Sequence, residues 1–86
     1  MNKTILITGT SSGIGKATAI YFQQKGWNVI ATMRSPEKDT ELKELENVLL
    51  EKLDVLDLES INQAIQNGIE KFGKIDALVN NAGYGA

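Results

Sequence analysis

The feature that most constrains the fold is the alternation of strand-like and helix-like stretches along the chain. Short apolar, β-branched runs are typical of buried strands and occupy residues 4–8, 27–33, 48–53 and 75–79. Apolar residues at helical spacing fill the stretches between them, which are residues 13–25, 36–46 and roughly 57–72. The order βαβαβαβ with short connections predicts an α/β fold, a parallel sheet with helices on both faces. Because such crossovers are right-handed, we expect a doubly wound sheet with strand order 3-2-1-4.

The helical stretches differ in how clearly their apolar faces are marked. The middle one opens with Ser35 and Pro36, a favourable N-cap and first position, but has only Leu42 and Leu45 as its main apolar contacts. In the last one, Asp57 or Ser60 is the expected cap and Gly73 the end. The predicted apolar stripe of the first helix is Ile14, Ala17, Thr18, Tyr21 and Phe22, and that of the last is Ile61, Ala64, Ile65, Ile69 and Phe72.

Composition excludes several classes of function. The 86 residues, which we expect to form a single unit over residues 1–86, include no cysteine and no histidine. Disulfides, thiolate or histidine metal sites and imidazole-based catalysis are therefore excluded, and we predict no metal site. A net charge of −2 argues against nucleic-acid binding. No apolar run approaches the roughly 20 residues of a membrane span, and no signal peptide is evident, so we expect a cytoplasmic protein.

A glycine-rich loop lies between the first strand and the first helix. It reads Thr-Gly-Thr-Ser-Ser-Gly-Ile-Gly over residues 8–15, at the place where helix N-terminal amides can bind a phosphate. Gly9 permits the tight turn, Gly13 lets backbone approach a pyrophosphate, and Gly15 lets the helix pack close to the sheet. The spacing G-x-x-x-G-x-G differs from the usual dinucleotide fingerprint, and a serine-rich turn that binds nothing is the alternative.

Three motifs in register resemble the short-chain dehydrogenase/reductase family. They are the glycine loop after the first strand, Asp54-Val55 after the third and Asn-Asn-Ala-Gly at residues 80–83 after the fourth. The resemblance runs from Lys3 to Gly83 and implies a Rossmann-type fold that binds a nicotinamide dinucleotide. Family members are much longer, so the chain resembles their N-terminal, cofactor-binding part. The resemblance extends the set of expected cofactor-binding residues to Gly9, Ser11, Ser12, Gly13, Ile14, Gly15, Arg34, Asp54, Val55, Asn81, Ala82 and Gly83.

The end of the second strand indicates which dinucleotide is preferred. An NAD site needs an Asp or Glu there to accept hydrogen bonds from the ribose 2′-hydroxyl. Met33 occupies this position and Arg34 follows, whose guanidinium suits a 2′-phosphate. The alternative is a solvated surface arginine. The pattern resembles the NADP-preferring branch of the family, so we predict NADP as the cofactor and disfavour NAD.

The other motif residues also have structural alternatives. Asp54 could be an ordinary cap near the last helix, whereas by resemblance it reaches the adenine amino group while Val55 packs on the ring. Asn80 and Asn81 could form a polar turn. By resemblance, Asn80 braces the sheet and Asn81, Ala82 and Gly83 run beside the adenosine ribose.

Tyr21 and Lys25 match the Tyr-x-x-x-Lys spacing of the catalytic pair of the family, but we reject that role. In the family the pair lies on a much later helix with a serine upstream, so Tyr21 is expected to pack in the core and Lys25 to be solvated. No residue of the 86 is therefore assigned as catalytic, and the chain alone is expected to be inactive.

The resemblance implies a complete enzyme that transfers a hydride between NADP(H) and an alcohol or a ketone or aldehyde, with a small-molecule substrate and a homo-oligomeric assembly. The alternative is a stand-alone or engineered Rossmann-fragment module that binds or folds without catalysis. In the isolated chain the fourth strand would lie at a sheet edge, where its unpaired backbone groups favour association, whereas in the longer family the next strand covers it.

Overall fold

The computed structural model describes residues 2–81 of the chain. Within them, four strands and two helices follow one another: β1 (Thr4–Ile7), α1 (Gly13–Gln24), β2 (Asn28–Met33), β3 (Val48–Lys52), α2 (Leu58–Phe72) and β4 (Ala77–Val79). The predicted strands are confirmed, with ends that differ by one or two residues. No helix in this part of the chain is long and apolar enough to cross a membrane.

The four strands form one parallel sheet in the order β3-β2-β1-β4, as the sequence predicts. In the register of the sheet, Ile5 of β1 lies beside Val29 of β2 on one side and Ala77 of β4 on the other. The central strands β1 and β2 are almost wholly buried. All four carboxyl ends therefore open onto the same edge, which is where ligands bind in open α/β sheets.

The two helices cover opposite faces of the sheet. On the α1 face, Ala19 packs with a core cluster made of alternate residues of the central strands, which also includes Leu42 from the β2–β3 connection. On the other face, Gly68 of α2 presses on Ile30 so closely that a Cβ at residue 68 would lie 2.2 Å from the Ile30 Cδ1 atom. This is the doubly wound arrangement expected for an alternating chain.

The predicted helix over residues 36–46 is wrong. Two 3₁₀ turns occupy this connection, Pro36–Lys38 and Leu42–Glu44, and Asp39 between them has an extended backbone. The Asp39 carboxylate accepts hydrogen bonds from the backbone amides of Leu42 (3.1 Å) and Lys43 (2.9 Å). A side chain that bonds nearby amides in this way competes with helical hydrogen bonding, so the helix is broken at Asp39.

The predicted apolar face of α1 is also partly wrong. The residues that α1 buries are Gly15 and Ala19, whereas Ile14 is 78% exposed and Tyr21 is 54% exposed. A helix that packs close to a sheet places its smallest residues at the contact, so hydropathy alone points to the wrong side. In α2, Asp57 is the cap, with its carboxylate accepting from the Glu59 amide. The expected stripe of α2 is half covered, because Ala64 is buried while Ile65 and Ile69 are 38% and 46% exposed.

Candidate functional site

A cavity of about 340 Å³ lies at the carboxyl ends of the strands, between the glycine loop and the segments that follow β2 and β3. Its volume falls within the range of about 300–1,000 Å³ that is typical of small-molecule sites. Two of the lining residues are cations and none is acidic, and several others are apolar. The lining residues are Gly9, Ser11, Met33, Arg34, Ser35, Lys38, Leu53 and Val55.

The glycine loop is held open by backbone conformations that suit glycine. Gly9 has φ +69° and Gly13 has φ +62°, both in the left-handed region. A Cβ at Gly13 would meet no atom of residues 2–81 within 4 Å, so the positive φ and not crowding favours glycine there. Thr10, which is buried, anchors the loop by donating from both its amide and its hydroxyl to the Thr32 carbonyl at 3.1 Å.

Gly15 brings the start of α1 against the loop itself. A Cβ at this position would lie 2.0 Å from the Gly9 carbonyl oxygen and 2.7 Å from Asn81 Nδ2. Asn81 Nδ2 donates to the same Gly9 oxygen at 3.2 Å, so the loop, the helix and the segment after β4 meet at one point. Only glycine fits there, as the sequence predicts for a close contact between helix and strand.

The N-terminus of α1 carries no negative charge and no side-chain cap. Ser12 is the N-cap residue, its side chain makes no capping hydrogen bond, and the first turn holds no acidic residue. Ser11, Ser12 and Ile14 are all exposed beside it. Amides and dipole at such a helix end favour an anion. The first turn of α1 is therefore suited to a pyrophosphate.

The end of β2 presents its cation to the cavity. Met33 is 3% exposed and belongs to the core cluster, although one side of it lines the cavity, whereas Arg34 is exposed. Across residues 2–81 the ion pairs are Lys16–Glu41 and Lys74–Asp76, so Arg34 has no carboxylate partner there. An unpaired guanidinium at a cavity without acid is suited to a phosphate.

At the end of β3, Val55 lines the cavity and Asp54 lies next to it. The Asp54 Oδ1 atom accepts from the Leu56 amide at 3.0 Å, and the Asp54 amide donates to the Ser60 hydroxyl at 3.0 Å. Asp54 therefore shapes the turn into α2, while the helix cap is Asp57. Asp54 is therefore not the helix cap that the sequence offered as its alternative role. Its role toward adenine stays a prediction.

The segment after β4 is tied to the end of β1. The Thr8 hydroxyl donates to Asn80 Oδ1 at 3.0 Å and accepts from the Asn81 amide at 2.8 Å. Asn80 thus joins β4 to β1, in keeping with the bracing role expected for it. Of the remaining predicted site residues, Ala82 and Gly83 lie outside the described residues.

Sequence reasoning missed three parts of the cavity wall: Ser35, Lys38 and Leu53. The predicted continuous helix after Pro36 gave no reason to expect the Lys38 side chain at the cavity. The signal that could have found it is the Asp39 side chain, because aspartate favours turns and interrupts helices. Leu53 ends an apolar run directly before Asp54, and its place beside the site follows from the strand order.

Tyr21 and Lys25 do not face the cavity. Tyr21 packs its ring edge-on against Phe22 with 5.4 Å between the centroids, and the Lys25 Nζ atom lies 5.5 Å from the Tyr21 ring centroid. The expectation that Tyr21 packs in the core is wrong, since half of it is exposed. Among residues 2–81, no group of three or more acidic residues is placed to hold a metal ion.

Comparison with known proteins gives a consistent family assignment. The family model described as short chain dehydrogenase matches residues 3–86. The NADP-dependent 3-hydroxy acid dehydrogenase of Schizosaccharomyces pombe is 47% identical, over 94% of this chain and 34% of that protein. The 3-oxoacyl-(acyl-carrier-protein) reductase FabG of Thermotoga maritima is 46% identical, over 94% of this chain and 35% of that protein.

Solved structures agree with these relatives. The crystal structure of a variant actinorhodin polyketide ketoreductase with NADPH superposes with a TM-score of 0.85 at 32% identity, and the match covers 93% of this chain and 33% of that one. The chain thus spans about a third of the length of the proteins it matches.

Proposed function

The chain belongs to the short chain dehydrogenase family, and we propose that it is the NADP(H)-binding part, over residues 1–86, of an oxidoreductase. The observation that carries the proposal is the cavity at the carboxyl ends of the strands. Gly9 and Ser11 of the glycine loop line it, as does Arg34, which has no ion-pair partner among residues 2–81, and no acidic residue of that part of the chain lines it. The uncapped N-terminus of α1 follows the loop directly. These features suit NADP(H), because it carries a pyrophosphate and a 2′-phosphate.

Each segment around the cavity would hold a different part of the cofactor. The amides of the first turn of α1 and the loop residues Gly9, Ser11, Ser12, Gly13, Ile14 and Gly15 would hold the pyrophosphate. Arg34 would bind the 2′-phosphate through charge-assisted hydrogen bonds. Val55 would pack against the adenine beside Asp54, and Asn81, Ala82 and Gly83 would follow the adenosine ribose.

Two of the proteins that are similar to this chain are named with the phosphorylated cofactor. The fission yeast relative is named as NADP-dependent, and the polyketide ketoreductase structure holds NADPH. Bound NADP(H) supplies the hydride that interconverts an alcohol and a ketone or aldehyde, and we propose this reaction for the whole enzyme. A small alcohol or carbonyl substrate and a homo-oligomeric enzyme are parts of the same proposal. A cytoplasmic location stays a prediction from the sequence.

Cofactor discrimination at Arg34 tests the proposal. A hydrogen bond to a charged group contributes about 1.5–3 kcal/mol, which is roughly a ten- to hundredfold change in affinity. Arg34→Leu should therefore lower NADPH affinity by about that factor and leave NADH affinity nearly unchanged, as measured by titration calorimetry. Arg34→Asp should reverse the preference, because a carboxylate at this position repels the 2′-phosphate.

The controls follow from the structure. Lys43→Leu removes one positive charge from an exposed residue of the second 3₁₀ turn that does not line the cavity, so it should leave both affinities unchanged. Met33→Asp is a poorer probe, because Met33 is buried in the core cluster and a carboxylate there would be costly. Equal loss of NADPH and NADH affinity in Arg34→Leu would contradict the role of the guanidinium.

A further inference from the structure

Lys38 is the second cation in the cavity wall, and nothing above gives it a function. We propose that Lys38 binds the 2′-phosphate of the cofactor together with Arg34, as a second residue that determines cofactor specificity. This inference rests on the proposed function, since it concerns the same cavity. The two residues reach the cavity from different local structures, Arg34 from the end of β2 and Lys38 from the 3₁₀ turn that follows.

The backbone that carries Lys38 is fixed at both ends of its turn. The Lys38 amide donates to the Ser35 carbonyl at 3.0 Å, and the Asp39 amide donates to the Pro36 carbonyl at 3.0 Å. Pro36 at the first position of the turn restricts its backbone further. A charge on an ordered turn loses less freedom on binding than one on a mobile loop, which favours a role in recognition.

The carboxylates of Asp39 and Glu41, two acidic residues close to Lys38 in the sequence, are occupied elsewhere. The Asp39 carboxylate bonds the amides of Leu42 and Lys43, and Glu41 pairs with Lys16 of α1. Burial acts to raise the pKa of Asp39, but the backbone hydrogen bonds outweigh it and hold that pKa below its ordinary value. Asp39 therefore stays ionised and committed to the backbone. It does not need Lys38 as a partner.

The cavity therefore has two cations in its lining and no acidic residue among those of residues 2–81 that line it. Arg34 and Lys38 both line the cavity, no acidic residue lines it, and neither takes part in an ion pair among residues 2–81. A phosphate monoester carries about −1.5 to −2 charges near neutral pH. Two unpaired positive charges match that charge better than one does, so the cavity is suited to a phosphate monoester at this place.

Binding of two adenosine nucleotides tests the role of Lys38. Titration calorimetry would compare 2′,5′-ADP, which carries the 2′-phosphate, with 5′-ADP, which lacks it. Lys38→Met, which keeps an unbranched stem, should weaken 2′,5′-ADP binding by about tenfold. It should leave 5′-ADP binding within about twofold, because that ligand makes no charged bond here. Lys38→Arg should restore most of the lost affinity, and Lys43→Met serves as the matched control.

Two further measurements separate binding from a structural role. The affinity for 2′,5′-ADP should depend less on salt in Lys38→Met than in the unmutated protein, because one charge fewer contacts the phosphate. The free protein should unfold at nearly the same temperature in Lys38→Met, since Lys38 takes part in no ion pair among residues 2–81. A lower unfolding temperature, with equal loss of both nucleotides, would show that Lys38 only maintains the turn and would overturn the proposal.

The outcomes also separate this inference from the proposed function. If the unmutated protein prefers 2′,5′-ADP and Lys38→Met keeps that preference, the role of Lys38 is wrong while the NADP site stands. If the unmutated protein binds both nucleotides equally or binds neither, the NADP site and the role of Lys38 fail together. Loss confined to 2′,5′-ADP in Lys38→Met supports both.

Discussion

Replacing Gly15 by alanine should disrupt the candidate site and destabilise the protein together. The added Cβ would lie 2.0 Å from the Gly9 carbonyl oxygen and 2.8 Å from its carbon, and both are backbone atoms. Real Cβ contacts essentially never come under 3.0 Å, so the loop must shift by about an ångström. That shift would also break the 3.2 Å hydrogen bond from Asn81 Nδ2 to the Gly9 oxygen.

The expected change in the free energy of unfolding combines two losses and one gain. Overpacking of this kind costs about 1–3 kcal/mol, and a lost hydrogen bond about 0.5–1.5 kcal/mol. Alanine in place of a helical glycine returns about 1 kcal/mol through its helix propensity. We expect a net loss of about 2 kcal/mol in the free energy of unfolding, or a fall of roughly 8–16 °C in the unfolding temperature of a domain of this size.

Gly68→Ala in α2 is the matched control. Its Cβ would lie 2.2 Å from Ile30 Cδ1, a clash of similar depth, but the atom it meets is the far end of a side chain. Ile30 can relieve the clash by changing rotamer, so the loss should be smaller, at most about 1 kcal/mol after the gain in helix propensity. Gly68 lies on the face of the sheet opposite α1 and does not line the cavity, so nucleotide affinity should not change.

Thermal unfolding followed by circular dichroism, with NADPH titration of each variant, measures both effects. Gly15→Ala should lose stability and lose NADPH affinity by more than about tenfold, whereas Gly68→Ala should keep its affinity. Equal stability of Gly15→Ala and the unmutated protein would show that the loop is not packed against α1 as described. Normal NADPH affinity in a destabilised Gly15→Ala variant would show that the glycine loop does not bind the cofactor.

Three other predictions concern the rest of the chain. Tyr21→Phe should leave nucleotide affinity and any ketone reduction unchanged, because Tyr21 contacts Phe22 and Lys25 and not the cavity; a loss of turnover would make Tyr21 catalytic after all. The edge strand β4 exposes 65% of Leu78, so sedimentation should show association at micromolar concentration that Leu78→Lys reduces, and a monodisperse unmutated monomer would refute this. A hydrogen bond from the Thr4 amide, with help from Lys74, holds the pKa of Asp76 below its ordinary value. Its contribution to stability should be present above about pH 4 and lost as the pH falls through the lower folded-state pKa, and an unfolding curve of Asp76→Asn with the same pH dependence would contradict that.

The strand order and the place of the site were predictable because they follow from long-range rules. Alternating strands and helices leave few parallel topologies, and right-handed crossovers select 3-2-1-4. The carboxyl ends of β1, β2 and β3 then bring Gly9, Arg34 and Val55 to one cavity, although they are far apart in the sequence. No side-chain detail is needed for that conclusion.

The errors arose where one local interaction outweighs an averaged pattern. Pro36 and the spacing of Leu42 and Leu45 indicate a helix, yet the Asp39 carboxylate bonds two amides and ends it. In α1, hydropathy favours Tyr21, but close packing on the sheet favours the small Ala19. Both outcomes depend on distances of a few ångströms that hydrophobic periodicity does not encode. Because the helix over residues 36–46 is a wrong prediction, the sequence did not indicate that Lys38 lines the cavity.

Titration of the unmutated protein with NADPH and NADH, at one salt concentration, is the most direct test that this cavity binds the adenosine end of NADP(H). If Arg34 bonds the 2′-phosphate, NADPH should bind roughly ten- to a hundredfold more tightly than NADH. The difference should shrink as salt is added, because the attraction is between charges at the surface. Equal affinities, or a preference for NADH, would contradict the assignment of the cavity to NADP(H).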